Sequence, residues 1–338
     1  MSELRFESLE VTPVSGVTLH LRHIVAEDQQ PPQRVQHEQQ ERQEQREQRA
    51  KKGAVLFIHG SIENGRIFYS NSGRGLACYL ARLGYECYVA DLRGRGDSKP
   101  KVARGADHGQ WESVVEDIPA LHKFVYDRHP EGVHWVSHSW GGTLTCASLV
   151  RFPELRPQVL SQTLFGVKRR ITVRSPEYYF KMGVVWQGLA PLTCKLLGYF
   201  PAKPMKIGAD NEPWGAIWQV TQWTKQLHWR CPLDGFDYAD ALQSQQASLA
   251  SDPDSKYQLP RALFLAGQND RVLGHPTDVQ GFADELAGVQ QQVTILSRQN
   301  GFKNDYGHID MLVHRDAEQD HFTHVAEWLA NSGLRRPD

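Results

Sequence analysis

The chain has 338 residues, 40 % of them apolar and 23 % charged, which suits a folded protein with a sizeable core and points to one large domain carrying an insertion. A formal net charge of -1 offers no basic stripe for a phosphate backbone and excludes a nucleic-acid partner. Five cysteines without a C-x-x-C pair give neither a disulfide framework nor a zinc site, and read as buried free thiols in a reducing cytoplasm.

From Met1 to Arg22 the chain lacks the basic start and apolar stretch of a secretory signal. No uncharged apolar run approaches the roughly 18 residues of a membrane span, so a cytoplasmic protein without a span is expected. Residues 5–11 and 17–24 read as a β-hairpin turning at Pro13 and Gly16. Residues 28–52 are mostly Gln, Glu and Arg. With almost no apolar side chain to offset the entropy of ordering, this stretch is expected to be a solvated insert, disordered or loosely helical.

After Gly53 apolar strands alternate with amphipathic helices. The run Ala54–Ile58 is a strand, and Leu76, Tyr79, Leu80 and Leu83 share one helical face. Residues 86–90 form the next strand, Val114, Ile118, Leu121 and Val125 the next helical face, and residues 133–136 and 159–166 two further strands. Strands at 262–266 and 292–296 resume the alternation, before a last helix with Phe322, Val325, Ala326 and Leu329 on one side. Strands separated by helices predict an α/β fold, a mostly parallel central sheet with helices on both faces.

Between 166 and 260 the alternation stops, and five of the nine tryptophans lie there: Trp186, Trp214, Trp218, Trp223 and Trp229. The stretch is expected to be an inserted helical cap whose aromatic side chains pack on the sheet domain and line a pocket beneath it. The expected division is then 1–165 and 261–338 for the two parts of the core and 166–260 for the cap.

The chemical signal is Ser137-His138-Ser139-Trp140-Gly141, where an apolar strand runs into a helix. A nucleophile at so tight a turn needs small residues two before and two after it. Ser139 has Ser137 and Gly141; Ser137 fails, because Trp135 stands two before it. His59-Gly60-Ser61 ends the first central strand, so the backbone N–H groups of Ser61 and Trp140 are the candidate oxyanion donors. An acid is expected after a late strand, and Asp270 stands there. Asp252 and Asp254 precede that strand, and the strand at 159–166 ends without a carboxylate. The first histidine after the final strand is His308. His314, His321 and His324 accompany the closing helix, and His275 lies too near Asp270 in sequence. In this arrangement His308 takes the Ser139 proton, Asp270 fixes its tautomer, and no metal or organic cofactor is required.

Through Leu56-Phe57-Ile58-His59-Gly60-Ser61, Asp91-Leu92-Arg93-Gly94-Arg95-Gly96, Ser137-His138-Ser139-Trp140-Gly141 and Tyr306-Gly307-His308-Ile309-Asp310, the chain resembles the α/β-hydrolase superfamily, lipase/esterase-like members above all. Ser139, Asp270 and His308 follow the chain order of that superfamily's triad. Members that open epoxides or remove halide use an aspartate nucleophile, so Ser139 argues against both. The resemblance implies a serine hydrolase of small apolar carboxylic esters. Thioester hydrolysis, acyl transfer and carbon–carbon bond cleavage stay open with the same triad, as does a non-catalytic receptor, and the oligomeric state is not specified.

Overall fold

A computed structural model describes residues 3–27, 52–252, 255–286 and 290–332. The Gln-, Glu- and Arg-rich stretch, apart from Lys52, lies outside the described residues. Ten strands are β1 (Leu4–Val11), β2 (Leu19–Ala26), β3 (Ala54–Ile58), β4 (Glu86–Asp91), β5 (Val133–His138), β6 (Val159–Phe165), β7 (Tyr199–Phe200), β8 (Glu212–Pro213), β9 (Ala262–Gly267) and β10 (Gln291–Leu296). The helices that matter below are α1 (Leu76–Arg82), α2 (Ile118–Tyr126), α3 (Trp140–Arg151), α4 (Ala190–Leu197), α5 (Trp214–Lys225), α6 (Tyr238–Ser251), α7 (Pro276–Glu285) and α8 (His321–Ser332).

Eight of the strands make one sheet in the order β1-β2-β4-β3-β5-β6-β9-β10. β1 and β2 pair antiparallel from Leu4 opposite Ala26 to Val11 opposite Leu19, the expected hairpin. β2 also runs antiparallel to β4, and the remaining neighbours are parallel. β3, β5 and β9 are buried along their whole length, as strands covered on both faces must be.

The two-residue period of a strand divides the core. Ala54, Leu56 and Ile58 face one cluster with Ile118 and Leu121 of α2, Leu144 and Ala147 of α3, and Phe282 of α7. Val55 and Phe57, one residue out of phase, face a second cluster with Leu76 and Leu80 of α1 and Phe322, Val325 and Leu329 of α8. The sheet is thus sandwiched, and the parallel strands all deliver their C-terminal ends to one edge, where a ligand site forms in folds of this kind.

Between β6 and β9 the chain leaves the sheet for α4, α5 and α6. Besides these helices, β7 and β8 form a small antiparallel ribbon in this stretch. Of its five tryptophans, Trp223 and Trp229 serve packing. They cluster with Tyr238, with ring centroids 4.7 to 5.5 Å apart, and Trp229 reaches Phe282 of α7 at 5.7 Å. All five cysteines are buried and unbridged. Among the described residues, no helix is long and apolar enough to cross a membrane.

Candidate active site

Ser139 sits between β5 and α3 with φ 50° and ψ -127°, a backbone region that side-chain-bearing residues rarely occupy. Its N–H donates to the Phe165 carbonyl at 2.8 Å, and its own carbonyl accepts from Gly142 at 3.1 Å, which fixes the turn from both sides. The need for a small residue two positions later has a specific cause: a Cβ on Gly141 would stand 2.2 Å from the His59 carbonyl oxygen. Ser137 is fully buried, and its hydroxyl lies 3.3 Å from that of Thr145 in α3.

The structure brings Ser139, His308 and Asp270 together. His308 Nε2 is 2.9 Å from Ser139 Oγ, and His308 Nδ1 is 2.5 Å from Asp270 Oδ2. Asp270 follows β9, and its other carboxylate oxygen accepts the Leu273 N–H at 2.9 Å and the Val272 N–H at 3.3 Å. Burial would push the Asp270 carboxyl up, but His308 beside it and Lys168 nearby hold it at about 2. Burial lowers the pKa of His308, with Asp270 opposing that shift. An ionised Asp270 accepts from Nδ1–H, so the neutral imidazole turns its Nε2 lone pair toward the Ser139 hydroxyl.

Ser61 and Trp140 both line the cavity that Ser139 and His308 enter. Trp140 opens α3, where helix geometry leaves an N–H without an intrahelical acceptor. Gly60 packs against Ser139: a Cβ there would come within 2.9 Å of the Ser139 Cβ. His59 stays beneath the loop, accepting the Leu92 N–H at Nε2 (3.1 Å) and so donating from Nδ1 to the Gly60 carbonyl (2.8 Å). The next residue, Ile62, has φ 54°. Its carbonyl accepts from the N–H groups of Ala209 (2.7 Å) and Asp210 (3.2 Å), and its N–H donates to Glu212 at 2.6 Å. The segment between β6 and β9 therefore holds the loop that carries Ser61.

Three residues at the site were not singled out in the sequence. His138 lies between Glu63 Oε2 (2.8 Å from Nδ1) and the His308 carbonyl (3.1 Å from Nε2). Glu63 also accepts the Gly60 N–H at 2.8 Å. Burial alone would raise its carboxyl, but His138 holds it at about 2. The third is Lys168, whose Nζ donates to Ser139 Oγ at 3.3 Å. Its signal in the sequence is the run Lys168-Arg169-Arg170 directly behind a buried strand.

The cavity above Ser139 measures about 570 Å³, with Ile171, Met182, Trp186 and Val220 among its apolar walls and the exposed Arg66 and Lys206 at its rim. Among the described residues, two His–carboxylate groups elsewhere, His20 with Asp91 and Asp97 and His228 with Asp237 and Asp240, have donor atoms close enough to share a metal ion. Neither lines the cavity, and Asp91 already accepts the N–H groups of Gly65 and Asp97, each at 2.8 Å.

Comparison with known proteins agrees with the fold. The chain aligns over 98 % of its length with an esterase from Pyrococcus furiosus (92 % of that chain, 13 % identity, TM-score 0.54). It aligns over 97 % with a thermophilic esterase from Thermogutta terrifontis (100 % of that chain, 15 % identity, TM-score 0.55). It aligns over 99 % with a soluble variant of monoglyceride lipase from Saccharomyces cerevisiae (96 % of that chain, 14 % identity, TM-score 0.56). These likenesses show a shared fold. No curated protein sequence matches. Residues 49–299 match the Hydrolase_4 family, described as serine aminopeptidase, S33. With its eight-stranded sheet and most of its length inside that match, the chain belongs to this family of α/β-hydrolases.

Proposed function

We propose that the protein is a serine hydrolase that cleaves carboxylic esters through an acyl-enzyme on Ser139. The observation that carries this reading is the continuous relay from Asp270 through His308 to Ser139, at 2.5 and 2.9 Å, opening on an apolar-walled cavity. Ser139 Oγ attacks the carbonyl carbon while its proton passes to His308 Nε2, and the carbonyl oxygen becomes an oxyanion facing the N–H groups of Ser61 and Trp140. Collapse of the adduct returns the proton to the leaving alkoxide. Water then loses a proton to His308 as it attacks the acyl-enzyme, releasing the acid and restoring Ser139. Asp270 keeps its charge throughout and stabilises the imidazolium.

In this reading residues 1–165 and 261–338 are the catalytic core and 166–260 the cap, which supplies Met182, Trp186 and Val220 to the acyl site. Esters with an apolar body suit the cavity walls, which include Ile171, Met182, Trp186 and Val220. Glu63 is the carboxylate among its lining residues, and its Oε2 accepts from both His138 and Gly60. Labelling with a fluorophosphonate followed by peptide mass analysis tests the assignment. The adduct is expected on Ser139 and lost in Ser139→Ala but not in Ser137→Ala; ester turnover with Ser139 unmodified would overturn it.

A further inference from the structure

We propose that Lys168 receives an anionic group of the substrate, so that the preferred ester combines an apolar body with a carboxylate two or three bonds from the scissile carbonyl. This inference rests on Ser139 being the nucleophile and adds the substrate class.

Lys168 is 4 % exposed, yet it lines the cavity floor beside Ser139. Among the described residues no carboxylate forms an ion pair with it. The acids whose fields reach it bind other donors: Asp270 meets His308, Glu63 Oε2 meets His138, and Asp278 Oδ1 accepts the N–H and hydroxyl of Thr172 at 2.9 and 2.5 Å, while Asp278 Oδ2 is buried without a hydrogen-bond partner. Burial lowers the Lys168 ammonium to about 8 against the opposing pull of those three carboxylates, which leaves it charged at neutral pH. An unpaired buried ammonium is costly, and a methionine would fill the same space without the penalty. A charge kept at that cost beside a nucleophile marks a site whose counter-charge arrives with the ligand.

An ammonium has three donors. One reaches Ser139 Oγ, and the others are available to a ligand. The scissile carbon must approach Ser139 Oγ to about 3–3.5 Å. With Nζ 3.3 Å from the same oxygen, a carboxylate held by Lys168 lies within a few bonds of that carbon. The exposed cations Arg66 and Lys206 at the rim give the entrance the same sign.

The test compares monobenzyl succinate with benzyl butyrate, which differ in one terminal carboxylate against methyl and release the same alcohol. On the full chain at pH 7, kcat/KM is expected to be at least tenfold higher for the succinate. In Lys168→Met that ratio is expected to fall at least tenfold. A wild-type ratio at or below one overturns the assignment without any variant. A ratio kept in a folded Lys168→Met overturns it too, since Lys168 would then act on reaction charge common to all esters. Fluorophosphonate labelling separates the two levels: labelled Ser139 with no preference for the succinate sinks the Lys168 assignment alone, and unlabelled Ser139 sinks both.

Discussion

Glu212 reaches from the segment between β6 and β9 to accept the N–H of Ile62 at 2.6 Å, while its other oxygen meets the guanidinium of Arg95. One buried carboxylate thus joins the segment between β6 and β9, the loop bearing Ser61 and the turn after β4. Ile62 needs such support because its φ of 54° is unfavourable for a branched side chain.

Removing that carboxylate in Glu212→Ala strands Arg95 and is expected to cost about 3–5 kcal/mol of stability. Release of Ile62 should also let Ser61 drift, and loss of one oxyanion donor lowers kcat by about 10²–10³ with KM little changed. Glu212→Gln keeps an acceptor for the Ile62 N–H and is expected to recover part of kcat. Steady-state kinetics and thermal melts check this, and a wild-type kcat in the alanine variant would contradict it.

Asp270→Asn is expected to lower kcat by about 10⁴ while circular dichroism stays unchanged, because the amide keeps the shape but no longer favours the Nδ1–H tautomer. The pH profile gives a second reading. Asp270 raises the pKa of His308 against the lowering effect of burial, so its removal should move the acid limb of kcat/KM to lower pH. An acid limb that stays in place would assign it to another group.

Lys168→Met should stabilise the protein at pH 7. The ammonium has a pKa of about 8 in the fold against an ordinary 10.5, so between those values the unfolded chain holds more protons and this contribution to stability rises with pH. Below pH 8 the full cost stands, about 3 kcal/mol. Thermal melts of the variant are expected to show a higher Tm at pH 7 and a flatter rise between pH 8 and 10.5. A lower Tm at pH 7 would show that the ammonium is a net stabilising group.

Among neutral esters, medium-length acyl chains should outpace acetyl. Each methylene buried against walls such as Met182 and Trp186 contributes up to about 0.8 kcal/mol, or roughly fourfold in kcat/KM. A p-nitrophenyl series from acetyl to hexanoyl measures it, and a steady fall along the series would mean that the aromatic residues only bind the cap to the core.

The tight turn at Ser139 was legible in the sequence because its constraint is local. A strand, a tight turn and a helix compress into Ser137 to Gly141, and the close approach of Gly141 to the His59 carbonyl is the contact that demands small residues. Asp270 and His308 could be named because each follows a recognisable apolar strand, and strand order alone brings their loops to one edge of the sheet. The hairpin and the alternating strands and helices were likewise written in period-two and helical spacing.

Contacts between elements far apart in the chain carried no such signature. Lys168 meets Ser139 across 29 positions, His138 meets Glu63 across 75, and Glu212 meets Ile62 across 150. The small ribbon of β7 and β8, which places Glu212, has too few residues to show a period. What the sequence determined by itself was therefore the fold, the elbow and the order of the three relay residues, each set by backbone geometry within a few neighbouring positions. Only the tertiary structure decided the charge placed beside Ser139 and the clamp on the loop that carries Ser61, because both arise where packing brings the segment between β6 and β9 against the strand ends.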